Sequence, residues 1–232
     1  MDIIKKYITA ARDGTAQQWL SELLPLMPDE LLQKSRLIER HKGNIMIRMG
    51  EAVESVYLLI DGEINIMNEL PSGIIYSFAK LRAPGILGEN ESLANFPNYR
   101  ATVVCETRCA FLYLSKHDFL TWMKKSPEAL YRVTVQIIRK HAAQVTRDRT
   151  FLFATGETRL AYLLAKYYET KAANGICELN IPRSQLADEI GFCVKTVDRC
   201  VGKFKNLGMV GRRGMKITIT DRQYRRLLDF NV

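Results

Sequence analysis

Lys195 and Arg199, one helical turn apart, carry the recognition chemistry most legible in this chain. They lie in the stretch Pro182-Arg183-Ser184-Gln185-Leu186-Ala187-Asp188-Glu189-Ile190-Gly191-Phe192-Cys193-Val194-Lys195-Thr196-Val197-Asp198-Arg199-Cys200. Each of the two cations can donate to the O6 and N7 acceptors of a guanine edge. Arg183 and Thr196 are placed to meet a phosphate or a base, and Ser184, Val194, Asp198 and Lys203 complete the candidate face. Gly202 leaves room for a backbone to come close. A second basic feature follows at Gly211-Arg212-Arg213-Gly214, where two arginines on a tight turn suit phosphate contact.

Such side chains work only if something rigid presents them. Leu186, Ala187 and Ile190 form the inner face of one helix, and Val197, Val201 and Phe204 recur at i, i+4 and i+7 on the next. Gly191 falls where the turn between them needs a left-handed residue. The pattern predicts a helix-turn-helix from about Arg183 to Leu207. An ordinary helical hairpin with a charged solvent face is the competing reading. The small Ala187, the turn glycine and the apolar spacing together disfavour it. Met209-Val210, the basic turn and the alternation of Met215, Ile217 and Ile219 predict a β wing. A last helix, Asp221 to Phe230, is capped by Thr220 or Asp221.

Charge is distributed to match. Residues 1–118 hold 13 Lys and Arg against 15 Asp and Glu, residues 119–150 hold seven against two, and residues 151–232 hold 14 against eight. The net +9 therefore sits in the last half. Clustered cations displace the counterions condensed on nucleic acid, so a polyanion partner is implied. A merely solvated basic surface is the alternative.

From Gly43 to Ser115 the pattern is β. Ile45, Ile47 and Met49 alternate with polar neighbours, Val56 to Ile60 is a short apolar run, and Asp61-Gly62 is a hairpin turn signal. Ile64 and Ile66 resume the alternation, Pro71-Ser72-Gly73 marks a turn, and Ile74–Phe78, Ala101–Cys105 and Cys109–Leu114 supply further strands. Thr15 to Glu39 reads as helix and turn, broken at Pro25 and Pro28. Ser126-Pro127-Glu128 opens a helix reaching about Arg149. Its apolar seam (Leu130, Val133, Ile137, Ala142, Val145, with His141 near it) predicts pairing with a second copy, or packing on its own β domain, or both. Glu157 to Ala172 is a further helix with Leu160, Leu163, Leu164 and Tyr167 inward, ended by Asn174-Gly175.

Several classes are disfavoured. No Ser-His-Asp order, His-Glu-x-x-His, P-loop or Gly-x-Gly-x-x-Gly occurs, and Glu89 and Glu91, two apart on a loop, lack a shared site. The five cysteines (105, 109, 177, 193 and 200) form no Cys-x-x-Cys pair, so neither a disulfide framework nor a metal centre is expected. No run of 18 apolar residues and no leader pattern is evident, so the expected location is the cytoplasm, away from any membrane.

The order of parts resembles the Crp/Fnr superfamily, in which a β-roll sensor, a long dimer helix and a winged helix follow one another. The resemblance runs from about Leu31 to Thr220 and is strongest at Tyr57-Leu58-Leu59-Ile60-Asp61-Gly62-Glu63-Ile64, at Pro84-Gly85-Ile86-Leu87-Gly88-Glu89, and from Ala187 to Arg199. It implies an α+β protein with an N-terminal β-roll of the cyclic-nucleotide-binding type (1–118), a dimerisation helix (119–150) and a winged helix (151–232). It further implies a bacterial regulator, not an enzyme, that binds double-stranded DNA as a homodimer under allosteric control by a small effector. RNA polymerase is a further candidate partner.

Departures from the family pattern sharpen this. The family's phosphate cassette continues Gly-Glu-Leu with Arg-Ser-Ala ten residues on. Here Gly88-Glu89 is followed by Asn90, and the later positions read Tyr99-Arg100-Ala101. The Arg is one residue displaced, which on a strand moves it to the other face. The family's Thr-Ser pair on the dimer helix aligns with Ala142-Ala143, which carry no side-chain donor or acceptor. Weak or no cyclic AMP binding is expected, with an organic or aromatic anion as effector and Tyr76, Arg82, Tyr99 and Arg100 lining its pocket. A cyclic-nucleotide-responsive regulator with a divergent cassette is the alternative. No cysteine precedes Cys105, which disfavours the family's N-terminal iron–sulfur cluster. Of His41, His117 and His141, the last is expected to be packed or hydrogen-bonded rather than a haem ligand. The family's Ser-Arg-Glu-Thr at the reading helix is Cys193-Val194-Lys195-Thr196 here. Lys195 cannot accept a hydrogen bond from cytosine as the family Glu does.

Overall fold

The computed structural model describes residues 3–69, 75–152, 154–214 and 216–230, and side chains at 69, 78, 143 and 145–152 stand outside that description. The turn at Pro71-Ser72-Gly73, Ile74, Met215 and the side chains of Ala143 and Val145 are thus outside the described residues. The chain divides into two compact units, Met1–Asn68 with Phe78–Gln144, and Glu69–Ser77 with Val145–Val232.

The first unit opens with α1 (Ile3–Ala10), α2 (Gly14–Leu23), a 3-10 turn (Leu24–Leu26) and α3 (Asp29–Lys34). Asp13 caps α2 by accepting from the Thr15 N–H. Eight strands follow: β1 (Arg36–Arg40), β2 (Ile45–Ile47), β3 (Ser55–Asp61), β4 (Glu63–Glu69), β5 (Ile75–Arg82), β6 (Gly85–Leu87), then, after helix α4 (Glu89–Leu93), β7 (Thr102–Cys105) and β8 (Cys109–Ser115). They form two four-stranded sheets, ordered β1-β8-β3-β6 and β2-β7-β4-β5. The sheets' inner faces and α2 supply the core, with Leu20, Leu58, Ile60, Ile64, Phe111 and Leu112 at its centre. The β series thus begins at Arg36, earlier than the alternation from Gly43 implies, because β1 pairs along β8 from Arg36↔Tyr113 to Arg40↔Cys109. Cys105 and Cys109 are buried free thiols of that core, and desolvation pushes the Cys105 thiol up to about 12.

Helices α5 (Lys116–Lys125) and α6 (Pro127–Leu152) follow. The Ser126 hydroxyl accepts from the Ala129 N–H at 3.3 Å, as a cap at that position should. No described helix is long and apolar enough to cross a membrane.

The second unit contains α7 (Gly156–Lys171), β9 (Ile176–Leu179), α8 (Arg183–Ile190), α9 (Val194–Asn206), β10 (Gly211–Arg213), β11 (Lys216–Thr220) and α10 (Asp221–Asp229). Its sheet runs β10-β11-β9, and its core joins Leu160, Leu164, Leu186, Ile190, Phe204 and Ile219. Met209 and Val210 are buried ahead of the wing rather than in it. The strand starts at Gly211 because Gly211, Arg212 and Arg213 are the residues that pair with β11. Thr220 and Gln223 form a reciprocal capping box at α10.

Candidate functional site

Helices α8 and α9 meet where Gly191 adopts φ +70°, its N–H closing α8 on the Ala187 carbonyl. A residue with a Cβ is strained there. Helix α9 buries Val197, Cys200 and Phe204 and turns Val194, Lys195, Asp198, Arg199, Gly202 and Lys205 outward. Cys193 precedes it in extended conformation without a side-chain capping bond, its sulfur 3.4 Å from the Thr196 hydroxyl. That hydroxyl and the adjoining backbone N–H groups lower the Cys193 thiol from its ordinary value.

The candidate cations differ in what they touch. Among the described residues, Lys195, Arg199 and Lys205 make no ion pair or hydrogen bond, so they are free to meet an anion. Arg183, half-buried at the start of α8, pairs with Asp198 at 3.3 Å. Ser184 is exposed beside it. Lys203 is not part of the free face: it reaches back to Glu157 of α7 at 2.5 Å and braces the domain. Arg213 is likewise engaged, at 2.9 Å from Glu178, which Lys216 also approaches at 3.0 Å. These two cations lower the Glu178 carboxyl. The Arg212 Nε donates to the Gly214 carbonyl at 2.6 Å, folding the guanidinium against the wing turn. Sequence reasoning did not single out Lys205. Its position, seven residues beyond Asp198 and so two helical turns along the same face, is the signal that finds it. A crevice of about 150 Å³ between α9 and the wing is lined by Arg183, Asp198, Gly202, Lys205 and Arg212.

Helix α8 also carries a buried carboxylate, Glu189. The Tyr167 hydroxyl donates to it at 2.7 Å and Gln185 Nε2 at 3.1 Å, so its burial is compensated by hydrogen bonds.

In the first unit the cassette region is arranged differently from the sequence expectation. Gly88 adopts φ +78° at the start of α4, and a Cβ there would stand 2.7 Å from the Ser55 carbonyl. Tyr99 is not a pocket residue. It is buried, its hydroxyl donates to the Ser55 carbonyl at 2.7 Å and accepts from the Ser55 N–H at 3.2 Å, and desolvation pushes it up to about 12. Arg100 points out to solvent, its guanidinium 5.0 Å from the centre of the Phe96 ring. Arg82 is exposed and pairs with Asp13 at 3.6 Å and Glu63 at 4.0 Å, away from α4. Tyr76 lies near the start of β5, in the short segment Glu69–Ser77 that groups with the second unit.

Glu89 and Asn90 instead face α6. The buried Glu89 carboxylate forms an ion pair with Lys140, which also donates to the Ile86 carbonyl at 3.3 Å. Among the described residues, its Oε2 and the Ser92 hydroxyl have no hydrogen-bond partner. Asn90 Oδ1 lies 3.3 Å from His141 Nε2. A cavity of about 230 Å³ beside this pair is lined by Leu81, Gly85, Ile86, Glu89, Gln136, Ile137, Arg139 and Lys140. Lys140 was not among the residues foreseen, because nothing local marks a partner 51 positions away. The seam of α6 also divides. Val133 is fully buried in its own roll and Ile137 packs against that core, so Val133 is no dimer contact. The outward apolar face is Leu130, Tyr131 and Ile138, with His141 and Ala142 exposed beyond it.

Comparison with known proteins agrees with this architecture. Residues 37–126 match the cyclic nucleotide-binding domain family, and residues 158–224 match the Crp-like helix-turn-helix domain. The chain is 23% identical over 210 residues to an anaerobic regulatory protein of Haemophilus influenzae, covering 84% of this chain and 79% of that one. It is 24% identical over 208 residues to the regulatory protein HlyX of Actinobacillus pleuropneumoniae, covering 84% and 83%. Its fold is similar to that of a c-di-GMP responsive global regulator of Xanthomonas campestris (TM-score 0.74, 16% identity, 83% of this chain and 97% of that one). It is equally similar to a putative Crp/Fnr-family regulator of Eubacterium rectale (TM-score 0.74, 14% identity, 94% of each). The protein is a member of the Crp/Fnr superfamily of transcription regulators, with an effector-binding type of β-roll followed by a DNA-binding type of winged helix.

Proposed function

We propose that the protein controls transcription by binding a palindromic operator as a homodimer, in the cytoplasm, under the control of a small effector. The observation that carries this is the outward face of α9, where Lys195 and Arg199 stand unengaged while the opposite face is buried. A helix so presented can enter a major groove, with half-sites about one helical turn apart. Arg183, Ser184, Val194, Thr196 and Arg212 flank it; the engaged Lys203 and Arg213 contribute field rather than contact. Residues 1–118 sense, 119–150 join the two copies through Leu130, Tyr131 and Ile138, and 151–232 read. RNA polymerase is the partner through which an activator of this kind acts.

The effector in this reading is an organic or aromatic anion rather than cyclic AMP. The supporting features are the small cavity with apolar Leu81, Ile86 and Ile137, the cationic Arg139 at its edge, and the exposed, outward-stacked Arg100. About 230 Å³ falls below the 300–1,000 Å³ usual for ligand pockets, which favours a small molecule. A cyclic-nucleotide-responsive regulator with a divergent cassette is the second reading. It is favoured by the cyclic nucleotide-binding match and by the unpartnered Glu89 Oε2 and Ser92 hydroxyl. Micromolar binding of cyclic AMP or c-di-GMP in a calorimetric titration would replace the first reading with the second. The DNA reading is tested by fluorescence anisotropy on duplex DNA across a salt series. Affinity should fall steeply and linearly in log–log form as counterion release requires, and a flat response would refute it.

A further inference from the structure

Asp198 is the one acidic residue of α9. It sits on the outward face between Lys195 and Arg199, with its side chain 60% exposed. A carboxylate facing a polyanion opposes binding unless it has a partner of its own. Arg183 is the first such partner, with Nε 3.3 Å from Asp198 Oδ1. One guanidinium does not saturate a carboxylate, whose two oxygens offer about four acceptor positions. Arg183, Lys205 and Arg212 line the adjoining crevice, so cations offset the local repulsion while the Asp198 side chain stays mostly exposed.

The chemistry of the neighbours defines what is missing. Lys195 and Arg199 are donors only. In the major groove they can address guanine O6 and N7 but not the exocyclic amines of cytosine or adenine. Asp198 is the charged side chain on this face that accepts, and a carboxylate selects the cytosine N4 amine. We propose that Asp198, held in place by Arg183, is a specificity-determining residue that accepts a hydrogen bond from a cytosine in each half-site. The inference rests on the reading of α9 as the DNA-reading helix.

The test is binding-site selection from a pool of randomised DNA duplexes with the wild-type dimer and with Asp198→Asn, followed by anisotropy on the selected duplexes. The wild type is expected to fix a cytosine at one position of each half-site, and its replacement should weaken binding about tenfold. Asp198→Asn should lose that preference or turn to adenine there, because an amide pairs with adenine N6 and N7. Every other position should stay the same. Arg183→Ala should blunt discrimination at the same position. Identical selected sequences for both proteins would overturn the proposal, as would an equal gain in affinity by Asp198→Asn for all duplexes, the mark of simple charge repulsion. Discrimination left intact by Arg183→Ala would remove the positioning role. Wild-type protein that showed no salt-dependent duplex binding would sink the reading of α9 itself, and this inference with it.

Discussion

Replacing Lys140 with methionine should lower the melting temperature of the β-roll. The ammonium of Lys140, one-fifth exposed, meets a Glu89 carboxylate that is 1% exposed. Methionine keeps the aliphatic stem but leaves that carboxylate, whose Oε2 already lacks a partner, and the Ile86 carbonyl without their donor. Removing one member of a buried ion pair costs about 3–5 kcal/mol. Partial exposure of Lys140 lets water reach the site, so the lower figure, about 3 kcal/mol, is the better expectation. For the first unit alone, at about 2.1 cal/mol/K per residue, that is a fall of about 10 °C. The assay is tryptophan fluorescence, because Trp19 and Trp122, the two tryptophans of the chain, both lie in the first unit and report its unfolding alone. The paired variant Glu89→Gln with Lys140→Met removes both charges and should recover at least half of the loss. If Lys140→Met stayed within about 0.5 kcal/mol of wild type, or if the two substitutions simply added, the pair would not be coupling α4 to α6.

Tyr99→Phe removes the hydroxyl that serves both backbone polar groups of Ser55, and a loss of about 1–3 kcal/mol is expected in urea unfolding. In the wild type this hydroxyl titrates near 12 when folded, against about 10 when free. Its contribution is thus complete below about pH 10 and is lost as pH rises through 12, and Tyr99→Phe should flatten that alkaline limb. On the DNA side, Arg199→Ala should cost about 1–3 kcal/mol, concentrated at one guanine position. Lys203→Ala, which breaks only the surface pair with Glu157, should change operator affinity little and stability by about 0–1 kcal/mol. Equal effects of the two on anisotropy titrations would refute the division between free and engaged cations.

Much of the architecture is legible in the sequence because it is written in contiguous residues. The turn glycine at 191, the apolar i, i+4, i+7 series of α9 and the alternation in the roll each report a local backbone state, and the described helices and strands follow them. The ends of elements are less legible. Strand β1 exists because β8 offers it a partner, and the wing begins at Gly211 because that is where β11 reaches.

Side-chain partnership is where local reading stops. Helix α6 carries apolar residues on more than one stripe, and its sequence alone does not say that Val133 turns toward its own roll while Leu130, Tyr131 and Ile138 turn away. Nor does it say that Lys140 meets Glu89, that Lys203 meets Glu157, or that Arg183 holds Asp198. The sequence by itself determined the two kinds of unit and a basic reading helix, since periodicity, caps and turns are properties of neighbouring residues. Only the tertiary structure decided which cations remain free for DNA and which cassette residues face the long helix. Those choices depend on how elements distant in sequence are packed, and no local pattern encodes that.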